Sequence, residues 1–503
     1  MSVEAYLPSS PISTALFALV VGLFSFWLLR RMRYNYPPRP GIALPLLGHA
    51  YKISFNDLCL QAFEWSKIYG PVLTVHVGPM KMVVVNKIDE ALEVLVKKST
   101  DFANRLITPS VEMFTDGNRD IAFSNYSPTW KLHRTLSSKA LRHYMQGPAL
   151  EHRVHAALET ALAEMDGHAD TPFDPVEHVN FIVGNILAGL CFGGKYGFED
   201  KEVNYILEQE DRLIKEFASG TLEDFLPFIR HVYKSQGFRL LEDFHQNLIV
   251  DFIGKKYHAE KKTFKKDKLR HFVDHLILAR TEVEESEGDA LVALTDLHII
   301  QTIADIFFAG VDTSRLTLRF ALLHMAAYPD IQAKTQEEID RVVGRDRLPG
   351  LDDRPDLAYT EAVLHESMRI STVAPSGVWH ETLCDTSIGS YKIPQGTPVM
   401  INHWALHNDP DAWDEVEKFK PERYLDEQGK LGPKPKSWLP FGAGKRVCLG
   451  EFVAKPELHL IFASLLQRYR WSPQPGHPVD ISPERSLFSN FPKAQELRME
   501  RRI

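Results

Sequence analysis

The sequence predicts a mainly α protein, a large helical bundle with small β-sheets, carried on one N-terminal transmembrane helix. Three features predict it. Apolar residues recur at helical spacing along most of the chain, while strand-like alternation is confined to a few short runs. One stretch, residues 296–327, would span roughly 48 Å as a helix and is apolar on nearly every side around residues 303–308, as the spine of a large domain would be. Finally, no charge falls between Glu4 and Arg30.

Taken in order, residues 12–29 read ISTALFALVVGLFSFWLL, roughly 27 Å of helix, close to the thickness of a bilayer's hydrocarbon core. Arg30, Arg31 and Arg33 follow at once, which places the long C-terminal body on the cytosolic side. The run is long for a signal peptide, its charges flank the wrong end, and no small-x-small cleavage site follows. Residues 37–48, PPRPGIALPLLG, are too rich in proline for a helix or a central strand and read as a stiff connector. The chain thus divides into an anchor with its basic flank at 1–33, a Pro-rich connector at 34–55 and one domain at 56–503. Helices are expected at 56–69, 130–144, 177–191, 203–217, 244–257, 296–327 and 360–370, and strands at 72–77, 82–85 and 397–401. The charged run at 260–269 reads as a solvated loop or helix end. Asp305 argues against a second membrane span in the long helix.

Composition narrows the function. Fifty-eight basic residues against 66 acidic ones leave a net charge of −8, with no basic surplus for nucleic acid. The four cysteines, Cys59, Cys191, Cys384 and Cys448, form no C-x-x-C pair, so neither a zinc site nor a disulfide framework is indicated, and a reducing compartment is.

The densest chemistry surrounds Cys448, in Phe441-Gly442-Ala443-Gly444-Lys445-Arg446-Val447-Cys448-Leu449-Gly450. Glycines on both sides let the backbone turn tightly around a flat object. A helix beginning near Leu449 would aim its N–H groups at the sulfur and favour the thiolate. Arg446 is expected to pair with a carboxylate.

These residues fit F-x-x-G-x-R-x-C-x-G, and on them the chain resembles the cytochrome P-450 superfamily, whose fold it is expected to share. Further motifs follow: Glu366-Ser367-Met368-Arg369 for E-x-x-R, Pro421-Glu422-Arg423-Tyr424 for the PERF-type segment, and Ala309-Gly310-Val311-Asp312-Thr313 on the long helix. The resemblance extends from about Pro37 to the C-terminus. It implies haem b (iron protoporphyrin IX) with Cys448 as axial sulfur ligand to the iron, pushing electron density onto the metal. It implies propionate partners at Arg446, Trp130, Arg134, His380 and Arg105, with Phe441, Gly442 and Gly450 shaping the haem loop. Glu366, Arg369 and Arg423 would form a buried structural triad. Splitting dioxygen requires protons. Thr313 would offer a hydroxyl, Asp312 a connection to water, and Gly310 beside Ala309 the room for oxygen.

Within the superfamily the chain is most similar to the animal steroid 17α-hydroxylase/17,20-lyase group, through 305–313, 372–375, 401–407 and 439–444, while 350–355 resembles the arene-hydroxylating group. The implied pocket is apolar and flat, lined by Ile121, Ala122, Phe123, Ala309, Gly310, Val373, Ala374 and Phe488. Glu210 would take the place of an Asn that meets the far end of the steroid, and His245 that of an Arg. Asp305 would either polarise the pocket or satisfy a neighbouring segment.

A membrane-bound monooxygenase is therefore expected, inserting one oxygen atom of O2 into a small hydrophobic, steroid-like substrate. It would lie in the endoplasmic reticulum membrane as a single-pass protein with a cytosolic catalytic domain. Electrons would come from NADPH-cytochrome P-450 reductase, with cytochrome b5 a further partner, since no flavin or nicotinamide fingerprint is visible. Lys131, Lys139, Arg142, Lys445 and Lys455 are candidates for the basic docking face. The alternatives are a polycyclic-arene hydroxylase, a haem-thiolate isomerase or dehydratase, and a haem sensor without turnover. The intact Asp312–Thr313 pair favours oxygenation over isomerisation.

Overall fold

The long apolar segment forms the axis on which the other helices assemble. The computed structural model describes residues 14–15, 17–19, 21–22, 35–44, 47–144, 149–168, 171–194, 196–198, 200–217, 220–286 and 294–502. In chain order the elements that position the site are α1 (Leu58–Tyr69), β1 (Val72–Val77), β2 (Met80–Val85), β3 (Asn104–Arg105), α2 (Pro128–Tyr144), α3 (Val176–Phe192), α4 (Lys201–Phe217), α5 (Asp296–Ala327), α6 (Ala358–Ser371), β4 (His380–Glu381), β5 (Pro398–Ile401), α7 (Glu451–Arg468), β6 (Tyr469–Pro473) and β7 (Leu497–Arg501).

Helix α5 has the expected bounds, and its buried residues fall on every side of its middle, because α3, α6 and α7 all pack on it. The π-helical His245–Gly254 lies inside one helical run from Gln236 to Thr263, so the expected helix at 244–257 is longer than its apolar stripe and ends within the charged stretch at 260–269. Four helices carried too weak an apolar stripe, or too many charges, to be read in full: Ala149–Asp166, Phe272–Ser286, Pro329–Val342 and α7.

The main sheet runs β1-β2-β5-β4-β3. Hairpin β1–β2 is antiparallel, and β5 joins β2 in parallel with Val83 opposite Val399 and Val85 opposite Ile401. Valine-rich β2 and β5 are buried on both faces at this seam, which suits β-branched side chains. A second small sheet pairs β7 with β6 and with Pro172–Phe173. Most of the expected span at 12–29 lies outside the described residues, and among the described residues no helix is long and apolar enough to cross a membrane.

Candidate active site

A cavity of about 630 Å³ opens between α5 and the loop that precedes α7. Its floor is the loop 440–450. The Cys448 N–H donates to the Phe441 carbonyl at 2.9 Å, closing a tight reversal. Gly444 makes that reversal possible: its φ is +71°, and a Cβ there would stand 1.7 Å from the Leu95 carbonyl oxygen. Cys448 is exposed, but into this cavity. Burial pushes its thiol above the ordinary value, while the Gly450 and Glu451 N–H groups and the Arg134 charge pull it back. The N–H groups at the start of α7 favour the thiolate, but burial outweighs them, and a bound metal cation would reverse that balance.

Three arginines, Arg105 buried and Arg134 and Arg446 half-buried, line the cavity together with the sulfur. Arg446 donates to the carbonyls of Ala103 at 2.7 Å, Ile121 at 3.3 Å and Ser124 at 2.6 Å, and among the described residues it makes no ion pair with a carboxylate, contrary to the pairing expected for it. Burial and the neighbouring charges of Arg105 and Arg134 oppose its positive charge, with Asp120 as the near carboxylate that supports it. Arg105 bonds the carbonyls of Ala122 at 3.0 Å and Val378 at 2.6 Å, and Arg134 bonds that of Val447. Cations crowded in a low-dielectric site, bonded mostly to carbonyls, are short of negative charge. A flat ligand bearing two carboxylates and a thiophilic metal fits this surround: the carboxylates relieve the arginines, and the metal takes the sulfur.

Trp130 lies outside the cavity wall, under Arg446, and donates its ring N–H to the Ile121 carbonyl at 2.9 Å. His380 lines the cavity, but burial and then Arg105 hold its pKa far below normal, and Nδ1 is engaged by the Phe102 carbonyl at 2.8 Å. Both causes oppose the positive charge expected of it as a propionate partner.

On the opposite wall, Ala309, Gly310, Asp312 and Thr313 all reach the cavity. The Thr313 hydroxyl donates to the Ala309 carbonyl at 2.7 Å. A Cβ on Gly310 would meet the Leu187 side chain at 2.9 Å, so its missing side chain also accommodates α3, while the residue itself lines the cavity. The Asp312 carboxylate accepts from Arg315 at 3.0 Å, and burial raises its pKa. Asp305 lines the cavity and accepts the Ile121 N–H at 2.7 Å, and burial lifts its carboxyl well above normal. It satisfies the neighbouring segment and faces the pocket as well.

Ile121, Ala122, Phe123, Val373, Ala374 and Phe488 complete the apolar lining as expected. Glu210 and His245 do not line it. Glu210 is buried on α4, which packs on α3 and on the Gln236–Phe244 helix, and burial raises its carboxyl's pKa well above normal. Asp224 and Phe225, on a single helical turn, and Trp379 line the cavity without a sequence signal to announce them. Arg315 was legible, three residues beyond Asp312 and so on the same helical face.

Beneath the site, Glu366 bonds Arg369 bidentately at 2.8 Å and Arg423 at 3.1 Å, all three buried, and Tyr424, standing where the motif has Phe, donates its hydroxyl to Glu366 at 3.2 Å. On the outer face Lys131, Lys139, Arg142 and Lys445 rim one open concavity, while Lys455 pairs with Glu451.

The Cytochrome P-450 family model matches residues 37–499. The steroid 17-alpha-hydroxylase/17,20 lyase of Gallus gallus is 37% identical over 86% of this chain and 85% of its own length. The cytochrome P-450 1A1 of Oncorhynchus mykiss is 30% identical over 97% and 96%. A solved zebra fish cytochrome P-450 with progesterone superposes with a TM-score of 0.80 at 31% identity, covering 88% of this chain and 99% of that one. The chain belongs to the cytochrome P-450 family and is a haem-thiolate monooxygenase.

Proposed function

We propose that the protein is a membrane-anchored steroid hydroxylase of the 17α-hydroxylase/17,20-lyase kind. The observation that carries this reading is the mostly apolar cavity over Cys448, whose volume is within the range of single small-molecule sites. Support comes from the steroid enzymes among its relatives and from the structural neighbour solved with progesterone.

Haem, when bound, supplies the redox chemistry that activates dioxygen. Cys448 would be its sulfur ligand. Arg446, Arg134 and Arg105 would hold the propionates, Trp130 stacking on Arg446, and His380 would close the same edge. Phe441, Gly442 and Gly450 shape the loop around the sulfur. Thr313 presents a hydroxyl to the cavity and Asp312, held by Arg315, passes a proton towards it. Ala309 and Gly310 form the wall beside them. Ile121, Ala122, Phe123, Val373, Ala374 and Phe488 exclude water from the substrate. Asp305 ties the 121–122 segment to α5, and Glu366, Arg369 and Arg423 brace the floor. Electrons arrive from NADPH-cytochrome P-450 reductase, with cytochrome b5 as a second donor, at the concavity rimmed by Lys131, Lys139, Arg142 and Lys445. The anchor at 1–33 places the protein in the endoplasmic reticulum membrane with the domain at 56–503 in the cytosol.

The test is spectral titration with steroids, sterols, fatty acids and polycyclic arenes, followed by turnover with reductase and NADPH. A low-to-high-spin shift and product from a steroid support the reading. A shift with arenes alone favours the second reading, drawn from the 30% identity to the trout enzyme over nearly the whole chain. NADPH-independent turnover would indicate isomerase chemistry, and no turnover at all a sensor.

A further inference from the structure

One end of the cavity is built from a different part of the fold than its floor. Met80, Phe225, Trp379, Leu487 and Phe488 line it and belong to the apolar cluster shared by α1, β1, β2 and β5. Ile306 of α5 and Val453 and Leu458 of α7 line the cavity too, but belong to the main core. The Trp379 ring packs at a tilt on Phe488, with ring centres 5.5 Å apart. Its backbone is pinned. Arg105 donates to the Val378 and Trp379 carbonyls at 2.6 and 3.3 Å, and β4 begins at the next residue.

The Trp379 indole N–H is buried and has no acceptor among the described residues. Trp130, Trp413 and Trp438 each give theirs to a backbone carbonyl. Trp471 shares the lack, but lies inside the core and does not line the cavity. A buried donor left unpaired is costly. No hydrogen bond fixes the Trp379 ring, and such a ring turns within a broad range about its Cβ–Cγ bond. The other polar groups at this end are short of free acceptors. Each Asp224 oxygen takes a backbone N–H, of Ser110 at 3.0 Å and of Thr221 at 3.2 Å, and the Thr108 oxygen takes that of Val111. The Ser489 hydroxyl lines the cavity and can play either part. A group that only accepts suits this balance. A ketone is such a group, whereas a hydroxyl brings a proton of its own to place.

We propose that Trp379 is a specificity-determining residue: its ring takes the flat end of the substrate beside Phe488, and its N–H donates to a ketone oxygen there, so that ketosteroids are selected over hydroxysteroids. The ring turns on its pinned backbone to meet the oxygen, and the substrate supplies the acceptor that the protein lacks. The proposal rests on the steroid reading and adds the functional group that the pocket requires.

The test is spin-shift titration of the full-length, haem-loaded enzyme with progesterone, which carries a ketone at each end, and with analogues in which either ketone is a hydroxyl or is absent. The wild type is expected to bind progesterone about 10-fold more tightly than the analogue lacking the oxygen that Trp379 meets, with the hydroxyl analogue between them. Trp379→Phe keeps an aromatic ring against Phe488 and removes the donor. It is expected to weaken progesterone binding about 10-fold, to leave the analogue without that oxygen within about 2-fold, and to keep the carbon-monoxide spectrum. An unchanged progesterone dissociation constant in Trp379→Phe overturns the proposal, and so does an equal loss for every ligand, which would make the ring a packing element alone. Should that variant fail to load haem, the wild-type series decides: equal dissociation constants with and without each ketone overturn the proposal. The underlying reading fails separately. A wild type that no steroid shifts removes the steroid reading, whereas one that progesterone and its analogues shift alike removes Trp379 only.

Discussion

The Arg446 guanidinium lies over the Trp130 ring, 3.9 Å from its centre, and both residues donate to the Ile121 carbonyl. The indole thus fixes the plane of a guanidinium already committed to three carbonyls, leaving its charge for a carboxylate ligand. A lysine can neither stack in this way nor span the three carbonyls. Arg446→Lys is expected to fold but to lose about 1.5–3 kcal/mol of haem binding, the worth of a charged hydrogen bond. The haem-to-protein ratio after dilution measures it, and a wild-type ratio would remove Arg446 from the haem site.

Gly442 and Gly444 share positive φ values, +68° and +71°, yet only Gly444 abuts another backbone. Gly442→Ala is expected to cost about 1–2 kcal/mol, the left-handed penalty alone. Gly444→Ala adds a collision with the Leu95 carbonyl and is expected to cost more than ~3 kcal/mol, with haem loading lost. Thermal melts of the two variants give the comparison.

Glu366 neutralises two buried arginines. Glu366→Gln leaves them without a counter-charge and is expected to destabilise by about 3–5 kcal/mol. Tyr424→Phe removes only one hydroxyl donor and is expected to cost about 1 kcal/mol. Urea unfolding separates the two.

Asp296 ties the start of α5 to Lys261 at 2.9 Å, Tyr257 at 3.0 Å and Arg280. Despite partial burial, these partners bring its pKa down to about 2 from 3.8. A carboxyl with a lowered folded-state pKa stabilises above its unfolded value and loses that contribution as pH falls through the folded one. The penalty of Asp296→Asn, about 1 kcal/mol for a partly exposed pair, is expected to be constant from pH 7 to about 4 and to shrink below that. Denaturant midpoints across that range check it.

Much of this molecule was legible before the fold was known. Residues 296–327 read as a helix because their apolar face has no gap, and 72–77 as a strand because its residues alternate and branch. The Cys448 loop was legible because its glycines and arginine are spaced for one geometry. Glu210 was not: α4's sequence shows a polar residue, and only the packing of α4 on α3 and the Gln236–Phe244 helix buries it. His380 and Gly310 line the cavity, yet their surroundings come from neighbours distant in sequence, Arg105 and Leu187. Chain-local chemistry can be read along a sequence, whereas protonation and close approach belong to the assembled fold.

The central claim concerns one bond, and the absorbance of the dithionite-reduced, carbon-monoxide-treated enzyme reports on it directly. With Cys448 on the iron, the wild type gives the thiolate-type Soret band and Cys448→Ala gives none. A thiolate-type band that survives in Cys448→Ala, or a histidine-type band in the wild type, would contradict the assignment.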